Sequence, residues 1–397
     1  MTEDAFTEGP PTEGAAFSGE FTLVDHHCHG VVTGELDSAA FELLLTESSR
    51  QAPAGTTFFD SQLGLVLRRW CPPVLGLDAY AGPEEYLARR RQLGAVEVSK
   101  RFLRAAGVAD FLVDTGYQPG GPPGGPGGPP GRLTSPAELA AAAGARSHLV
   151  VRLEQVAEDL AAAGTGAAEF VTRYPAALAD AVAGAVAVKS IAAYRHGLDF
   201  EPSRPGNSEV RREAGGWLRR AAKTGSYRLQ SSGLLRFLLW SAIDLGRPVQ
   251  IHTGYGDRDL TLHRCNPSLL TGFVRATEAA GVPLLLLHCY PYHREAGYLA
   301  QVYPHVYCDV GLALNFTGAR AAAILAESLE LAPFGKTMYS SDAFGLPELH
   351  YLGAVVFRHA LRQTLGAWLR DEMITPADAD RIGQLISAGN ARRVYRL

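Results

Sequence analysis

The sequence predicts an α/β protein built as a (β/α)8 TIM-like barrel, and three observations lead to this fold class. Short apolar runs alternate with longer amphipathic stretches along most of the chain. Several apolar runs end in polar residues, and the carboxyl ends of barrel strands converge on one spot. No glycine-rich phosphate loop follows the first run, which argues against the alternative, a doubly wound open sheet.

The candidate strands are short and apolar, as expected for parallel strands that are buried on both faces. They are Thr22–His26, Asp110–Thr115, His148–Arg152, Val182–Lys189, Pro248–His252, Pro283–His288, His305–Asp309 and Thr337–Ser341. The amphipathic stretches that predict helices include Pro83–Ala106, Glu169–Val182, Ser232–Leu245, Pro267–Ala280, Gly318–Leu331 and Pro347–Arg370.

The chain divides into a leader and one barrel domain. Residues 1–20 are acidic and rich in Gly and Pro, which predicts a disordered leader without the features of a signal peptide. Residues 21–397 form the barrel. Within it, residues 35–106 are too long for one helix and predict an inserted helical subdomain after the first strand. Residues 118–131, QPGGPPGGPGGPPG, predict a flexible loop.

The composition indicates which classes of partner are not expected and in which compartment the protein is expected. There are 37 basic and 41 acidic residues, a net charge of −4, and no long basic run, so nucleic acid and anionic membranes are not expected partners. The five cysteines are odd in number and irregularly spaced, which indicates reduced thiols in a cytoplasmic protein. A homodimer is the default expectation for the assembly.

Polar residues at the predicted strand ends have the chemistry of a metal site. The first strand runs into His27 and His29, which share one face because side chains alternate along a strand. The fifth and sixth strands end at His252 and His288, and the eighth runs into Asp342. Imidazole and carboxylate are ligands for zinc and similar divalent ions. This joint pattern predicts a catalytic metal site.

Lys189, at the end of the fourth strand, has two interpretations. It is a metal ligand if reaction with CO2 converts it to a carbamate, whose oxygens can bridge two ions. Otherwise it binds a substrate carboxylate or pairs with Glu154. The expected cofactor is therefore one or two divalent ions, with zinc favoured over manganese or iron. Asp342 is the predicted proton acceptor for the attacking water, with His288 or His252 assisting.

Five segments extend this pattern: VDHHCHG (24–30), VKSIAAYRHGL (188–198), VQIHTGYGDRDL (249–260), LLHCYPYHREAGYLA (286–300) and LAPFGKTMYSSD (331–342). In their order, spacing and flanking residues they resemble the amidohydrolase superfamily. The closer similarity is to the amidohydrolase-2 branch, which includes the domain fused to glutamine synthetase in FluG-type proteins. The resemblance implies His27, His29, His252, His288 and Asp342 around the metal.

The predicted activity is metal-dependent hydrolysis of an amide or related C–N bond in a small polar substrate. The resemblance to FluG-type proteins suggests γ-glutamyl or other amino-acid amides. Two alternatives stay open: a mononuclear decarboxylase or other lyase, and an inactive metal-binding partner of a glutamine-synthetase-like enzyme. Polar residues just past the strand ends are the candidates for substrate binding; these are Glu154, Tyr194, Arg195, Asp257 and Tyr290.

Overall fold

The computed structural model describes residues 21–116 and 131–397. The predicted leader (1–20) and the predicted flexible loop (118–131, except Gly131) lie outside the described residues. None of the described helices combines the length and the apolar character that a membrane span requires. All five cysteines are buried and free of disulfide bonds.

A parallel sheet of seven strands forms the centre of the described chain, and its strand order follows the sequence. The strands are β1 (Leu23–Cys28), β2 (Val108–Asp114), β3 (Arg146–Arg152), β4 (Ala185–Ser190), β5 (Val249–Thr253), β6 (Leu284–His288) and β7 (Val306–Cys308). Every residue of β1, β5 and β6 is buried, because helices cover the outer face and side chains fill the inner one. The α/β class and the parallel sheet are thereby confirmed.

The prediction of a regular eighth strand at Thr337–Ser341 is wrong. Of the residues in this segment, only Thr337 makes a strand-like bridge, to Cys308 of β7. The segment 337–342 nevertheless fills the gap between the two edge strands. The Met338 N–H donates to the Cys308 carbonyl (3.2 Å), and the His26 N–H of β1 donates to the Tyr339 carbonyl (3.1 Å). The sheet is therefore a curled, incomplete barrel with an irregular segment in the eighth position.

Seventeen α-helices lie in the described residues. They are α1 (Ser38–Leu43), α2 (Gln62–Val74), α3 (Pro83–Leu93), α4 (Ala95–Ala106), α5 (Pro136–Ala143), α6 (Leu153–Ala162), α7 (Ala167–Ala181), α8 (Ala192–Arg195), α9 (Asn207–Thr224), α10 (Ser232–Asp244), α11 (Thr271–Thr277), α12 (His293–Val302), α13 (Gly311–Thr317), α14 (Ala321–Ser328), α15 (Pro347–Arg370), α16 (Pro376–Gln384) and α17 (Asn390–Tyr395). A single π-helical turn, Leu385–Gly389, joins α16 to α17.

The helix boundaries follow local chemistry. The stretch predicted as one helix at Pro83–Ala106 is two, because Gly94 adopts a positive φ of 79° that ends α3 and begins α4. Helix α5 begins at a capping box in which the Ser135 hydroxyl and the Glu138 carboxylate each bind the other residue's backbone N–H.

Four helices, α1 to α4, occupy the span between β1 and β2. Their buried side chains, such as Phe41, Leu67 and Phe102, belong to one hydrophobic cluster with Leu352 and Phe357 of α15. The helices therefore pack onto the carboxyl-terminal part of the domain. Whether the span is an insertion stays a prediction.

The amino-terminal end of the sheet is filled by the last helix. Val24, Leu112 and Leu285 from three strands share a buried cluster with Val394 and Tyr395 of α17. This apolar layer closes one end of the curled sheet. The polar strand ends lie at the other end, where they face a cavity.

Candidate metal centre

Six predicted ligands line one cavity of ≈ 360 Å³ at the carboxyl ends of the strands. They are His27, His29, Lys189, His252, His288 and Asp342. All six side chains are buried, the most exposed being Asp342 at 8%. The strand-end pattern in the sequence therefore corresponds to a real convergence in space.

The Asp342 carboxylate lies among three of the imidazole rings. Its Oδ1 is 3.1 Å from Nε2 of His27 and 3.4 Å from Nε2 of His29, and its Oδ2 is 3.4 Å from Nδ1 of His288. Ligand atoms of His27, His29 and Asp342 all lie within 4.8 Å of one another. These separations allow one ion to contact all three residues.

Gln250 determines which nitrogen of the neutral His27 ring carries the proton. The Gln250 amide nitrogen donates to the His26 carbonyl (2.7 Å), so its Oε1, 2.8 Å from His27 Nδ1, is an acceptor. Burial and the nearby Lys189 lower the His27 pKa to about 4, so the ring is neutral. Its one proton is on Nδ1, and Nε2 presents a lone pair to the carboxylate.

The tautomer of the neutral His29 ring is likewise set by an acceptor at Nδ1. Its Nδ1 lies 2.9 Å from the Asp114 carbonyl oxygen, which can only accept. In the neutral ring Nε2 then carries no proton, and it also faces Asp342 Oδ1. With both rings neutral, two nitrogen lone pairs and a carboxylate oxygen converge without a proton between them. A divalent cation satisfies all three, so the donor set fits a metal.

His252 and His288 supply two further imidazoles. In the part of the chain that the structure describes, His252 Nε2 and His288 Nδ1 are buried without a hydrogen-bond partner. Burial, together with the Lys189 charge, lowers the pKa of both rings well below the usual range. Both rings are therefore neutral and can act as metal ligands. Unpartnered buried nitrogens are costly unless a ligand uses them.

Lys189 lies inside this group. Its Nζ is 3.4 Å from His27 Nε2, and burial lowers the pKa of its amine to about 8. The alternative pairing with Glu154 does not occur in the described residues, because the Glu154 carboxylate accepts instead from the Ser190 hydroxyl (2.8 Å) and the Ile191 N–H (3.0 Å).

Backbone strain concentrates at the same place. His288, Cys289 and Asp342 all have positive φ, at 69°, 56° and 48°, a region that residues with side chains seldom adopt. Asp309 holds the turn after β6, because its Oδ1 accepts the His288 N–H at 2.8 Å. The strained backbone aims the His288 and Asp342 side chains at each other.

A second buried group with possible metal-binding atoms consists of Asp25, Cys28 and His350. The two Asp25 oxygens accept from the backbone N–H and the hydroxyl of Ser341, at 2.8 and 2.5 Å. Because Ser341 directly precedes Asp342, Asp25 acts on the centre by positioning that segment.

The predicted substrate residues divide into two sets. Tyr194, Arg195 and Asp257 line the cavity, and the Tyr194 ring packs 4.4 Å from that of His252. Glu154 and Tyr290 do not line it. Glu154 is fully buried under the loop after β4, and Tyr290 stacks on the His293 ring at 5.7 Å. Substrate contact by these two residues is therefore not supported by their positions.

Sequence reasoning missed several residues of the site. Gln250 orients His27 through its side chain, and Asp114 orients His29 through its backbone carbonyl, roles that a sequence pattern does not specify. Glu47 and Arg228 line the cavity from loops outside the strand ends. Their approach depends on how distant segments pack, which local sequence does not encode.

Comparison with known proteins agrees with this geometry. The sequence profile of the family described as Amidohydrolase matches residues 136–397, about two thirds of the chain. The chain belongs to the amidohydrolase family. It is an enzyme of the hydrolase type, and it carries a buried group of candidate metal ligands, His27, His29 and Asp342.

Relatives of this amidohydrolase include a fungal protein and several solved structures. Protein fluG of Emericella nidulans is 32% identical over 256 residues, which cover 61% of this chain and 29% of that longer protein. A Lactobacillus casei protein described as a metal-dependent hydrolase is 28% identical, with a TM-score of 0.81 over 96% of both chains. Uronate isomerase of Thermotoga maritima, at 14% identity and a TM-score of 0.58 over 95% of both chains, shares the fold.

Proposed function

We propose that this amidohydrolase cleaves an amide or related C–N bond in a small, polar, amino-acid-derived substrate. One observation carries the proposal: the Nε2 atoms of His27 and His29 converge with the Asp342 carboxylate inside a cavity. That arrangement suits water activation at a divalent ion. The similarity to fluG over part of its length supports the amino-acid-derived class.

His27, His29 and Asp342 would hold the metal, with His252, His288 and Lys189 as the further ligands. When bound, the ion supplies Lewis acidity toward a carbonyl oxygen and toward water. Asp342 would take the proton of the attacking water and deliver it to the leaving amine. His288, 3.4 Å from that carboxylate, is placed to assist the transfer.

Arginine side chains in the cavity wall select for an anionic group. Arg195 pairs with Glu158 at 3.2 Å, and within the described residues its Nε is buried with no hydrogen-bond partner. Arg152 and Arg228 line the same cavity. A guanidinium with an unused N–H suits a substrate carboxylate, as an amino-acid derivative would present.

The test is product analysis with the zinc- or manganese-loaded protein on a panel of γ-glutamyl and N-acyl amino-acid amides. Release of amine from at least one substrate is the expected outcome. Release of CO2 without amine would replace the hydrolase by the lyase. Absent turnover, together with capture of a glutamine synthetase, would favour the inactive-partner alternative.

The Asp342→Asn variant tests the proton acceptor. Loss of general base catalysis costs about 10²- to 10⁴-fold, so we expect kcat to fall within that range while the variant keeps part of its metal. Metal content and kcat are measured on the same preparation. A variant with native turnover would remove Asp342 from this role.

A further inference from the structure

A carboxylate that no sequence motif indicates faces the metal centre from the side. Glu47 lies between α1 and α2 and lines the cavity that contains the six predicted ligands. Its side chain is half-buried, but its Oε1 is buried and makes no hydrogen bond to any described residue. A buried carboxylate oxygen without a donor is costly, so a ligand that donates to it is favoured.

The charged groups that act on Glu47 are acidic. Burial, with smaller contributions from the charges of Asp342 and Asp257, raises the pKa of Glu47 to about 8. Asp257 lines the same cavity, and burial raises the pKa of its carboxyl as well. The charged forms of both carboxyls are thus disfavoured in the empty cavity, and an ammonium group placed between them would favour those forms.

The arginines of the cavity do not fill that need. Each is paired with another carboxylate: Arg152 with Asp114 (2.6 Å), Arg195 with Glu158 (3.2 Å) and Arg228 with Asp259 (3.1 Å). Across residues 21–116 and 131–397, no basic side chain forms an ion pair with Glu47. Within the described residues no cation complements Glu47, so an ammonium group of a ligand is a fitting partner.

We propose that Glu47, with Asp257, forms a subsite for an ammonium group of the substrate. This deepens the proposed function and rests on it. A compact ammonium offers three donors, enough for two carboxylates. With the unused Nε of Arg195 available for a carboxylate, the cavity recognises a zwitterion that has separate ammonium and carboxylate groups.

The experiment measures binding and does not depend on turnover. Isothermal titration calorimetry on the metal-loaded protein compares γ-aminobutanoate, δ-aminopentanoate and ε-aminohexanoate with butanoate, pentanoate and hexanoate. Each pair differs only in the ammonium group, and the three lengths allow for the span between subsites. We expect the best amino acid to bind about tenfold tighter than its matched acid.

The Glu47→Gln variant should abolish that preference and leave the affinity for the simple acids unchanged. Glu85→Gln, an exposed change of equal charge on α3, is the control and should keep the preference. Equal binding of matched probes by the native protein, binding of neither, or an undiminished preference in E47Q would overturn the subsite. Failure of the proposed function would differ: the ammonium preference would persist, but no amide would be hydrolysed.

Discussion

At the scale of single residues, the histidines of the metal centre depend on acceptors behind them. Gln250 is fully buried and links three groups: its Oε1 accepts from His27, and its amide donates to the His26 carbonyl and to the Tyr395 hydroxyl. It thus fixes which His27 nitrogen faces the cavity. An outer partner of this kind governs metal affinity without contacting the ion.

Replacing Gln250 should therefore weaken metal binding. Gln250→Met keeps the length of the side chain but removes the acceptor, and we expect metal affinity to fall about 10- to 100-fold. The dissociation constant is measured by competition with a chromophoric chelator, and circular dichroism checks the fold. Gln384→Leu, an exposed change in α16, is the control. Unaltered affinity in a folded Q250M protein would contradict the role.

Lys189 yields a second residue-scale prediction, on metal stoichiometry. An ammonium 3.4 Å from His27 Nε2 would repel a cation, so a lysine in this position must lose its charge when metal binds. We expect about two ions per chain in the native protein and one or none in Lys189→Ala, by plasma emission. Lys223→Ala, exposed on α9, should match the native protein. A single ion in both native and K189A protein would make Lys189 a substrate or structural residue.

At the scale of elements, one buried ion pair joins α3 to α15. Arg90 Nε lies 2.8 Å from Glu348 Oε1, and the Tyr86 hydroxyl donates to the same oxygen at 2.9 Å. Both charged side chains are buried, Arg90 at 5% exposure and Glu348 at 0%. The pair connects the helices that precede β2 to the helix that follows the Asp342 segment.

Breaking this pair should destabilise the domain. Arg90→Met leaves an unpaired buried carboxylate, and we expect the free energy of unfolding to fall by about 3–5 kcal/mol. Urea denaturation measures the loss. The neighbouring Arg91→Met, on the exposed side of α3, should change stability by less than about 0.5 kcal/mol. Equal stability of the two variants would show that the pair is not what holds α3 to α15.

Most elements could be predicted from the sequence, and the exceptions have physical causes. Apolar runs such as Leu284–His288 predict their strands because a strand buried on both faces has apolar residues at successive positions instead of an alternating pattern. A strand is predicted at Thr337–Ser341, but the Tyr339 N–H donates to the Ile386 carbonyl and the Ser341 N–H to the Asp25 carboxylate, so no regular ladder forms. Gly94 divides a helix that periodicity alone joined.

The candidate site was predictable where strands carry it. His27, His29, His252, His288 and Asp342 come from strand ends or the segment beside them, and topology alone brings these together. Glu47 and Gln250 were missed for opposite reasons. Glu47 reaches the cavity through the packing of α1 and α2, whereas Gln250 looks like any other position within a buried strand.

At the scale of the whole molecule, metal binding and folding should be linked. The predicted ligands come from β1, β4, β5, β6 and the segment 337–342, so only the folded chain brings them together. Free metal at 100 times its dissociation constant should raise the free energy of unfolding by about 2.7 kcal/mol. Urea denaturation with zinc and with chelator measures this, and Asp342→Asn should reduce the gain. Identical curves in zinc and chelator would exclude a metal bound by the folded state.

The contacts of Tyr395 also set an order of events during translation. The hydroxyl of this residue lies 2.9 Å from both His26 Nδ1 and the Gln250 amide nitrogen, and Asp342 is placed by backbone bonds to β1. His27 and His29 leave the ribosome early, but Asp342 follows them by more than three hundred residues, and Tyr395, which bonds to Gln250, follows later still. We therefore expect a nascent chain to bind metal in this geometry only after the Asp342 segment and α17 have emerged.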